Sequence, residues 1–189
     1  MRLTSRAWQW VRWLAGISLG LASVWGTTEM PYVNWRRTVS PLEGVPLLIR
    51  VDAKGSGLFG ASRSGGRQHR GIDLEAPIGT PVRAIRSGVV RTVTWHRGLG
   101  HYIELRHAAS LSSLYAHLDT TRVAEGERVR QGQIIGTVGK TGNARSPLIK
   151  AHLHMELAQA GAVVDPATWG IVAATASGTV DGQEAEGGD

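Results

Sequence analysis

The 189-residue chain has no cysteine, and this absence excludes two kinds of stabilising or functional site. Disulfide bonds cannot form, and no zinc ion can be held by thiolates. A transition metal would have to be bound by His, Asp or Glu, and the chain contains seven histidines. Any metal chemistry is therefore expected to use imidazole and carboxylate ligands.

Acidic residues are scarcer than basic ones, with 15 Asp+Glu against 21 Lys+Arg and a formal net charge of +6. A basic balance is compatible with nucleic acid, an anionic membrane surface or another anionic polymer. The basic residues are spread along the chain, and no basic stripe is interleaved with aromatic side chains. The sequence therefore predicts no nucleic-acid binding.

The first thirty residues contain no acidic side chain before Glu29, while Arg2, Arg6 and Arg12 precede an uncharged run over residues 13–26. A positive end followed by an apolar stretch is the layout of an export signal. The run is shorter than the about 20 residues that span a bilayer comfortably. Cleaved and retained signals both remain open.

We expect residues 1–26 to form a hydrophobic helix that serves as a signal peptide or a signal-anchor. Residues 8–26 are the part that would contact the inner membrane, although this stretch includes Arg12. Both alternatives predict an exported protein that is periplasmic or anchored to the inner membrane facing the periplasm. In a Gram-positive cell the corresponding location is the cell wall or the extracellular space.

Long helical periodicity is missing between residues 51 and 169. Short apolar runs rich in β-branched residues recur about every dozen residues there, and Gly and Pro separate them. The runs cover residues 81–85, 89–95, 102–105, 113–117, 133–138 and 152–157. The pattern predicts an all-β fold, a compact antiparallel domain over residues 51–169.

Two segments beside this domain have a different composition. Residues 27–50 contain Pro31, Pro41 and Pro46 among scattered polar residues, which indicates a linker or an irregular arm. Residues 170–189 consist of small residues followed by acidic ones, without a basic side chain. We expect a disordered acidic tail over residues 170–189.

Histidine and aspartate are concentrated in two short clusters, His69 with Asp73 and His152 with His154. Three such ligands with an open fourth position suit a catalytic zinc ion. In a strand, His152 and His154 face the same side, so both could bind one metal, or one could bind it while the other acts on substrate. His117, inside an apolar run, is a further candidate.

Several blocks, in order along the chain, resemble the motifs of the lysostaphin-type, LytM-like zinc endopeptidases. They span about residues 55 to 168. The blocks are RQHRGIDL at residues 67–74, APIGTPVRA at 76–84, GLGHYI at 98–103, YAHL at 115–118, GERVRQGQIIG at 126–136, HLHMEL at 152–157 and DP at 165–166. An ordered set of this kind is far more specific than any one of its motifs.

The resemblance implies a two-sheet antiparallel fold and a zinc ion. It implies that His69, Asp73 and His154 bind the zinc and that His117 and His152 are the unligated catalytic histidines. All five positions hold the residue that the family motif requires.

The activity implied by the resemblance is zinc-dependent endopeptidase cleavage of peptide cross-links or stem peptides in bacterial peptidoglycan. A metal-activated water, assisted by two histidines, would attack the peptide bond. Some family members have lost ligands and instead activate other cell-wall hydrolases without catalysis, which is the alternative function. Ala151 and Met155 replace the usual proline and phenylalanine, and we expect both to affect the wall of the substrate groove.

Overall fold

The structure, a computed structural model, describes residue 32 and residues 34–175. These residues form thirteen strands and three short 3-10 turns. The strands are β1 (Leu48–Ile49), β2 (Val51–Asp52), β3 (Gly55–Ser56), β4 (Ile72–Glu75), β5 (Pro81–Arg83), β6 (Gly88–His96), β7 (Gly100–His107), β8 (Leu111–Thr121), β9 (Arg128–Val129), β10 (Ile134–Val138), β11 (His152–Gln159), β12 (Ala162–Val164) and β13 (Ala174–Thr175). The 3-10 turns are Ser64–Gly66, Gly142–Arg145 and Pro166–Trp169.

The mostly β architecture confirms the predicted fold class. Each of the six apolar runs identified in the sequence overlaps one strand, namely β5, β6, β7, β8, β10 and β11. These strands form because branched and aromatic side chains pack well on a pleated surface that is buried on at least one face.

Hydrogen bonds join eleven strands into one sheet, while β2 and β3 pair as a separate hairpin. The main path runs in the order β13-β1-β4-β11-β8-β7-β6-β9. From this path, β10 pairs with β8 and β5, and β12 pairs with β11. The two sheets of the described chain thus differ greatly in their number of strands. The central position of β4 and β11 places the side chains of both strands near the middle of the domain.

Strand β8 changes partner along its length. Residues 111–116 pair with β11, and residues 118–121 pair with β10. His117 lies between the two stretches with a φ of 62°, a left-handed conformation that is unusual for a residue with a side chain. Irregular pairing of this kind bends a strand and redirects a side chain.

The hydrophobic core fills the space between the strands. Its fully buried side chains come from most of the long strands and include Leu74, Val82, Ile103, Leu105, Tyr115, Leu153 and Leu157. Met155 is also fully buried among them, so this replacement for phenylalanine alters the core. The expectation that Met155 affects the groove wall is therefore wrong, because successive residues of β11 point to opposite faces.

The segment before the domain is attached to it along β5. The backbone nitrogen of Val39 donates to Ile85, that of Glu43 to Pro81, and that of Arg83 to Pro41. Residues 34–49 therefore form an arm that is hydrogen-bonded to the folded domain. The boundary predicted at residue 50 stays a prediction.

Residues 170–175 belong to the folded part, although the sequence assigns them to the disordered tail. Ile171 is buried in the core, and β13 pairs in parallel with β1 through Leu48 and Ala174. The composition pattern missed this because a two-residue strand has no periodicity of its own. The rest of the predicted tail, residues 176–189, lies outside the described residues.

The hydrophobic helix predicted for residues 1–26 also lies outside the described residues. Within the part that the structure describes, no helix is long and apolar enough to cross a membrane.

Candidate metal centre

The side chains of His69, Asp73 and His154 meet at one buried point. Asp73 on β4 lies directly opposite His154 on β11, and His69 belongs to the loop before β4. Asp73 Oδ1 is 2.8 Å from His154 Nδ1 and 3.1 Å from His69 Nε2. The two histidine nitrogens are 3.1 Å apart. The three residues predicted as metal ligands from the resemblance are thus brought together in space.

The outer contacts of the two histidines favour a cation between them. His69 Nδ1 donates to the carbonyl oxygen of Leu58 at 2.8 Å, so in the neutral ring Nε2 directs a lone pair at Asp73. His154 Nε2 lies 3.1 Å from Glu156 Oε1, and a hydrogen donated there leaves a lone pair on Nδ1. Electron-rich atoms converge in this way in metal sites.

The spacing of these atoms also suits zinc. A tetrahedral zinc ion with bonds of about 2.0–2.1 Å separates its ligand atoms by roughly 3.3 Å. The observed separations of 2.8–3.1 Å are close to that value. A proton competes for the same point, because hydrogen bonds to Asp73 and Glu156 outweigh the effect of burial and raise the pKa of His154 to about 9.

The second oxygen of Asp73 is held by two arginines. Arg50 Nη2 lies 2.9 Å and Arg63 Nη2 lies 3.0 Å from Asp73 Oδ2. Burial raises the pKa of this carboxyl, but hydrogen bonds from His154 and His69, which form when protons occupy the point that a metal would take, outweigh it and hold the pKa well below its ordinary value. Asp73 is therefore charged, and its orientation is fixed from both sides.

A chain of polar contacts connects Asp73 to His152. Arg50 forms a second ion pair, between Nη1 and the carboxylate of Asp52. Asp52 Oδ2 in turn accepts the backbone N–H of Lys150 at 3.0 Å. The carbonyl oxygen of Lys150 accepts from His152 Nδ1 at 2.7 Å. The beginning of the β2–β3 hairpin thus supports both Asp73 and His152.

His117 and His152 lie side by side at the same site, with ring centroids 4.8 Å apart. Each donates Nδ1–H to a backbone carbonyl, His117 to Thr141 at 3.0 Å and His152 to Lys150, so each presents an unprotonated Nε2. Burial lowers the pKa of His117 to about 3 and also lowers that of His152. Both rings are therefore neutral bases near neutral pH.

All five predicted site residues open onto one cleft of about 910 Å³. Leu99, Asn143 and Ile149 contribute to its lining together with the basic residues of the segment before β4. A cavity of this size accommodates a short stretch of peptide. Of the remaining histidines, His96 and His101 are exposed, as the sequence suggested.

Several residues of the site escaped the sequence analysis. Glu156 had a usable signal, since it follows His154 by two positions in a strand and so shares its face. Arg50, Arg63 and Lys150 gave no such signal. Their contacts depend on loops that meet only in the folded chain.

The fold and this site define a class, a small β domain with a three-residue His/Asp/His group that fits a metal ion. The family model of peptidase family M23 matches residues 67–166. The chain belongs to this family, which confirms the lysostaphin-type resemblance.

Two characterised peptidases are similar to this chain in sequence. The chain is 41% identical over 102 residues to the peptidoglycan DD-endopeptidase ShyC of Vibrio cholerae, covering 54% of this chain and 23% of the relative. It is 45% identical over 100 residues to the DD-carboxypeptidase/endopeptidase Mpg of Neisseria meningitidis, covering 53% of this chain and 22% of the relative. The chain therefore spans less than a quarter of the length of these two relatives.

Solved structures share the fold. The catalytic domain of the prophage-encoded M23 protein EnpA from Enterococcus faecalis is 34% identical with a TM-score of 0.54, covering 69% of this chain and 97% of that one. A zinc-containing peptidase from Vibrio cholerae is 29% identical with a TM-score of 0.57, covering 76% of this chain and 41% of that one. The catalytic domain of lysostaphin from Staphylococcus simulans is 32% identical with a TM-score of 0.53, covering 59% and 87%.

Proposed function

We propose that the protein is a zinc-dependent endopeptidase that hydrolyses peptide cross-links or stem peptides of bacterial peptidoglycan. The observation that carries the proposal is the convergence of His69, Asp73 and His154 beside two neutral histidines in an open cleft. The substrate class is supported by the relatives ShyC and Mpg, whose names describe peptidoglycan or DD-peptide cleavage.

His69, Asp73 and His154 would hold the metal through Nε2, Oδ1 and Nδ1. When bound, zinc supplies a Lewis acid and a nucleophilic water near neutral pH. Asp73 contributes one negative charge, so a divalent ion held there keeps a net positive charge. Arg50 and Arg63 restrict this carboxylate to a single orientation by binding its other oxygen.

His117 and His152 carry the proton transfers in this proposal. Each presents a neutral Nε2 to the cleft, and each ring is fixed by a hydrogen bond from Nδ1 to a carbonyl oxygen. One Nε2 takes a proton from the attacking water and delivers it to the leaving amine. A protonated ring also donates a hydrogen bond to the oxyanion of the peptide. Roles of this kind typically accelerate a reaction about 10²–10⁴-fold.

A non-catalytic activator of other wall hydrolases is the alternative function. It is less favoured because the ligands and the two histidines are all present and mutually oriented. Such an activator would have no need for two desolvated neutral bases beside a metal-ligand group.

We propose an exported location, in the periplasm or anchored to the inner membrane facing the periplasm. The arginines before the uncharged run at residues 13–26 support it. Fractionation of cells that express the full chain, with sequencing of the mature N-terminus, tests this location and whether the signal is cleaved. Recovery of uncleaved protein from the cytosol would contradict it.

Digestion of purified peptidoglycan, followed by mass spectrometry of the fragments, tests the activity. We expect cross-linked dimers to disappear with the zinc-loaded protein and to persist with the His117→Ala variant, and the fragment masses identify the bond. If zinc-loaded protein leaves the peptidoglycan intact but stimulates a second wall hydrolase, the activator alternative replaces the proposal.

A further inference from the structure

The cleft is electrostatically one-sided. All of its basic lining residues come from one stretch of the chain, residues 50–70. They are Arg50, Lys54, Arg63, Arg67 and Arg70, which together we name the basic wall. Leu99, Asn143 and Ile149, which line the cleft from other segments, carry no charge. The charge of the cleft is therefore concentrated on one of its sides.

Two members of the basic wall are neutralised within the protein. Arg50 and Arg63 both bind Asp73, one of the two acidic residues in the lining. Glu156, the other acidic residue, is engaged with His154. Arg70 approaches Glu156 only at 3.8 Å and its side chain is 68% exposed, so this pair contributes little.

The positive charges of Lys54 and Arg67 are available to bind a ligand. Among the described residues, the Lys54 ammonium has no hydrogen-bond or ion-pair partner. Arg67 uses only Nε, which donates to the carbonyl oxygen of Ser64 at 3.3 Å. Both residues are exposed at the cleft. Within the described part of the chain, no acidic side chain forms an ion pair with either of these two groups.

The loop that carries Arg63 and Arg67 has a defined conformation. Gly65 and Gly66 have φ values of 75° and 72°, which side chains other than glycine rarely adopt. The turn returns the chain on itself, so the backbone nitrogen of Arg63 donates to the carbonyl oxygen of Arg67 at 2.8 Å. Arg67 is thereby placed beside an arginine that touches the metal ligand Asp73.

We propose that Lys54 and Arg67 form a subsite for carboxylate groups of the peptide substrate, next to the bond that is cleaved. This inference rests on the proposed function. The basic wall lies directly beside Asp73, since Arg63 Nη2 is 3.0 Å from Asp73 Oδ2. A substrate carboxylate on this wall belongs to a residue close to the scissile bond. Stem peptides that carry free carboxylates fit this subsite, whereas a bridge of glycine residues offers it nothing.

The experiment compares defined cross-linked peptide dimers whose C-terminal or side-chain carboxylates are free or amidated. The enzymes are the full chain, the double variant Lys54→Gln with Arg67→Gln, and Arg122→Gln as an exposed control outside the cleft. We expect amidation of the recognised carboxylate to lower kcat/KM of the full chain about tenfold, through KM, as the loss of a charge-assisted contact does. The double variant should cleave free and amidated dimers equally, and Arg122→Gln should behave as the parent chain.

The amidation pattern tells which carboxylate is bound, and zinc content and thermal unfolding report whether the variants remain intact. Equal cleavage of free and amidated dimers by the full chain would overturn the subsite and leave the proposed function standing. A double variant that keeps the preference for free carboxylates but binds intact peptidoglycan less well would also overturn the subsite. In that case Lys54 and Arg67 bind an anionic polymer and not the carboxylate of the peptide.

If no dimer is cleaved, a binding measurement tests the carboxylate subsite separately from the proposed endopeptidase activity. The His117→Ala protein is titrated with the free-acid and the amidated product peptides. Tighter binding of the acid, lost on adding the Lys54→Gln and Arg67→Gln substitutions, supports the subsite although the endopeptidase proposal has failed. Equal affinities reject the subsite independently of turnover.

Discussion

At the scale of single residues, His117 shows how the backbone places a base. Its φ of 62° is unfavourable for a non-glycine residue and costs on the order of 1–3 kcal/mol. The conformation is held by hydrogen bonds from its backbone nitrogen to Leu99 and from Nδ1 to Thr141. The strained residue therefore presents Nε2 to the cleft.

Replacement of His117 and of His154 by alanine should have different consequences for the metal. His117→Ala is expected to retain stoichiometric zinc and to lose turnover by about 10²–10⁴-fold, because only proton transfer is affected. His154→Ala should lose both, since it removes a ligand. Zinc content by atomic emission, measured beside turnover, checks both expectations. A zinc-free His117→Ala protein would contradict the assignment of this histidine.

His107 titrates inside the core, where Nε2 is 2.7 Å from Ser113 Oγ and Nδ1 donates to the carbonyl oxygen of Ser87. Burial, with a further contribution from the charge of Arg86, lowers its pKa from 6.5 to about 4. Between these values the unfolded chain binds more protons than the folded one. Stability is therefore lost as the pH falls from about 6.5 to about 4.

The His107→Gln variant should remove this part of the pH dependence. The shift corresponds to at most about 3 kcal/mol between pH 7 and pH 4. The measurement is the unfolding free energy of both proteins by denaturant titration at several pH values. Parallel curves for the two proteins would show that His107 does not titrate in this way.

Site residues were predictable where the chemistry restricts the residue type. The five residues that the structure brings together at the site stand in motifs whose composition is characteristic. Arg50 was not predictable, because its partner Asp73 is 23 positions away and only folding brings them together. The same holds for Asp52, which accepts from a backbone nitrogen 98 positions further along the chain.

At the scale of elements, the pairing of β4 with β11 creates the site, because it sets Asp73 opposite His154. Long strands such as β6 and β11 were predictable from their repeated apolar pattern. β1, β2, β3, β9 and β13 are only two residues long and have no pattern to detect. Their positions depend on tertiary partners, which is also why the order of strands in the sheet could not be read from periodicity.

Asp52→Asn, at the end of β2, tests the link between this hairpin and the site. The amide keeps the shape of the side chain but removes the negative charge. That charge pairs with Arg50 and strengthens the hydrogen bond that Asp52 Oδ2 accepts from the backbone N–H of Lys150. We expect about tenfold lower kcat with zinc retained, since His152 loses part of its support. Glu104→Gln, which breaks the exposed pair with Arg91, is the matched control. Equal effects of the two substitutions would argue against a positioning role for Asp52.

At the scale of the whole molecule, the His69, Asp73 and His154 group is part of the fold because its members come from a loop and two neighbouring strands. An ion that binds only the folded chain stabilises it by an amount that grows with the logarithm of its concentration relative to Kd, about 4 kcal/mol at a thousandfold excess over Kd. We expect chelation to lower the unfolding temperature of the protein and added zinc to restore it. The His154→Ala variant should show no such response. An unfolding temperature independent of zinc in the parent chain would contradict a metal centre at this point.

Strand β1 lies between β13 and β4, and none of β1, β13 or Arg50 is part of the region from 67 to 166 that the family model matches. A shortened chain trimmed to that region would leave β4 as an open edge with unpaired backbone groups. Open edges recruit strands of other molecules and promote aggregation. The same cut would deprive Asp73 of both its arginines. Recombinant fragments of this protein should therefore begin before residue 34 and extend past residue 175.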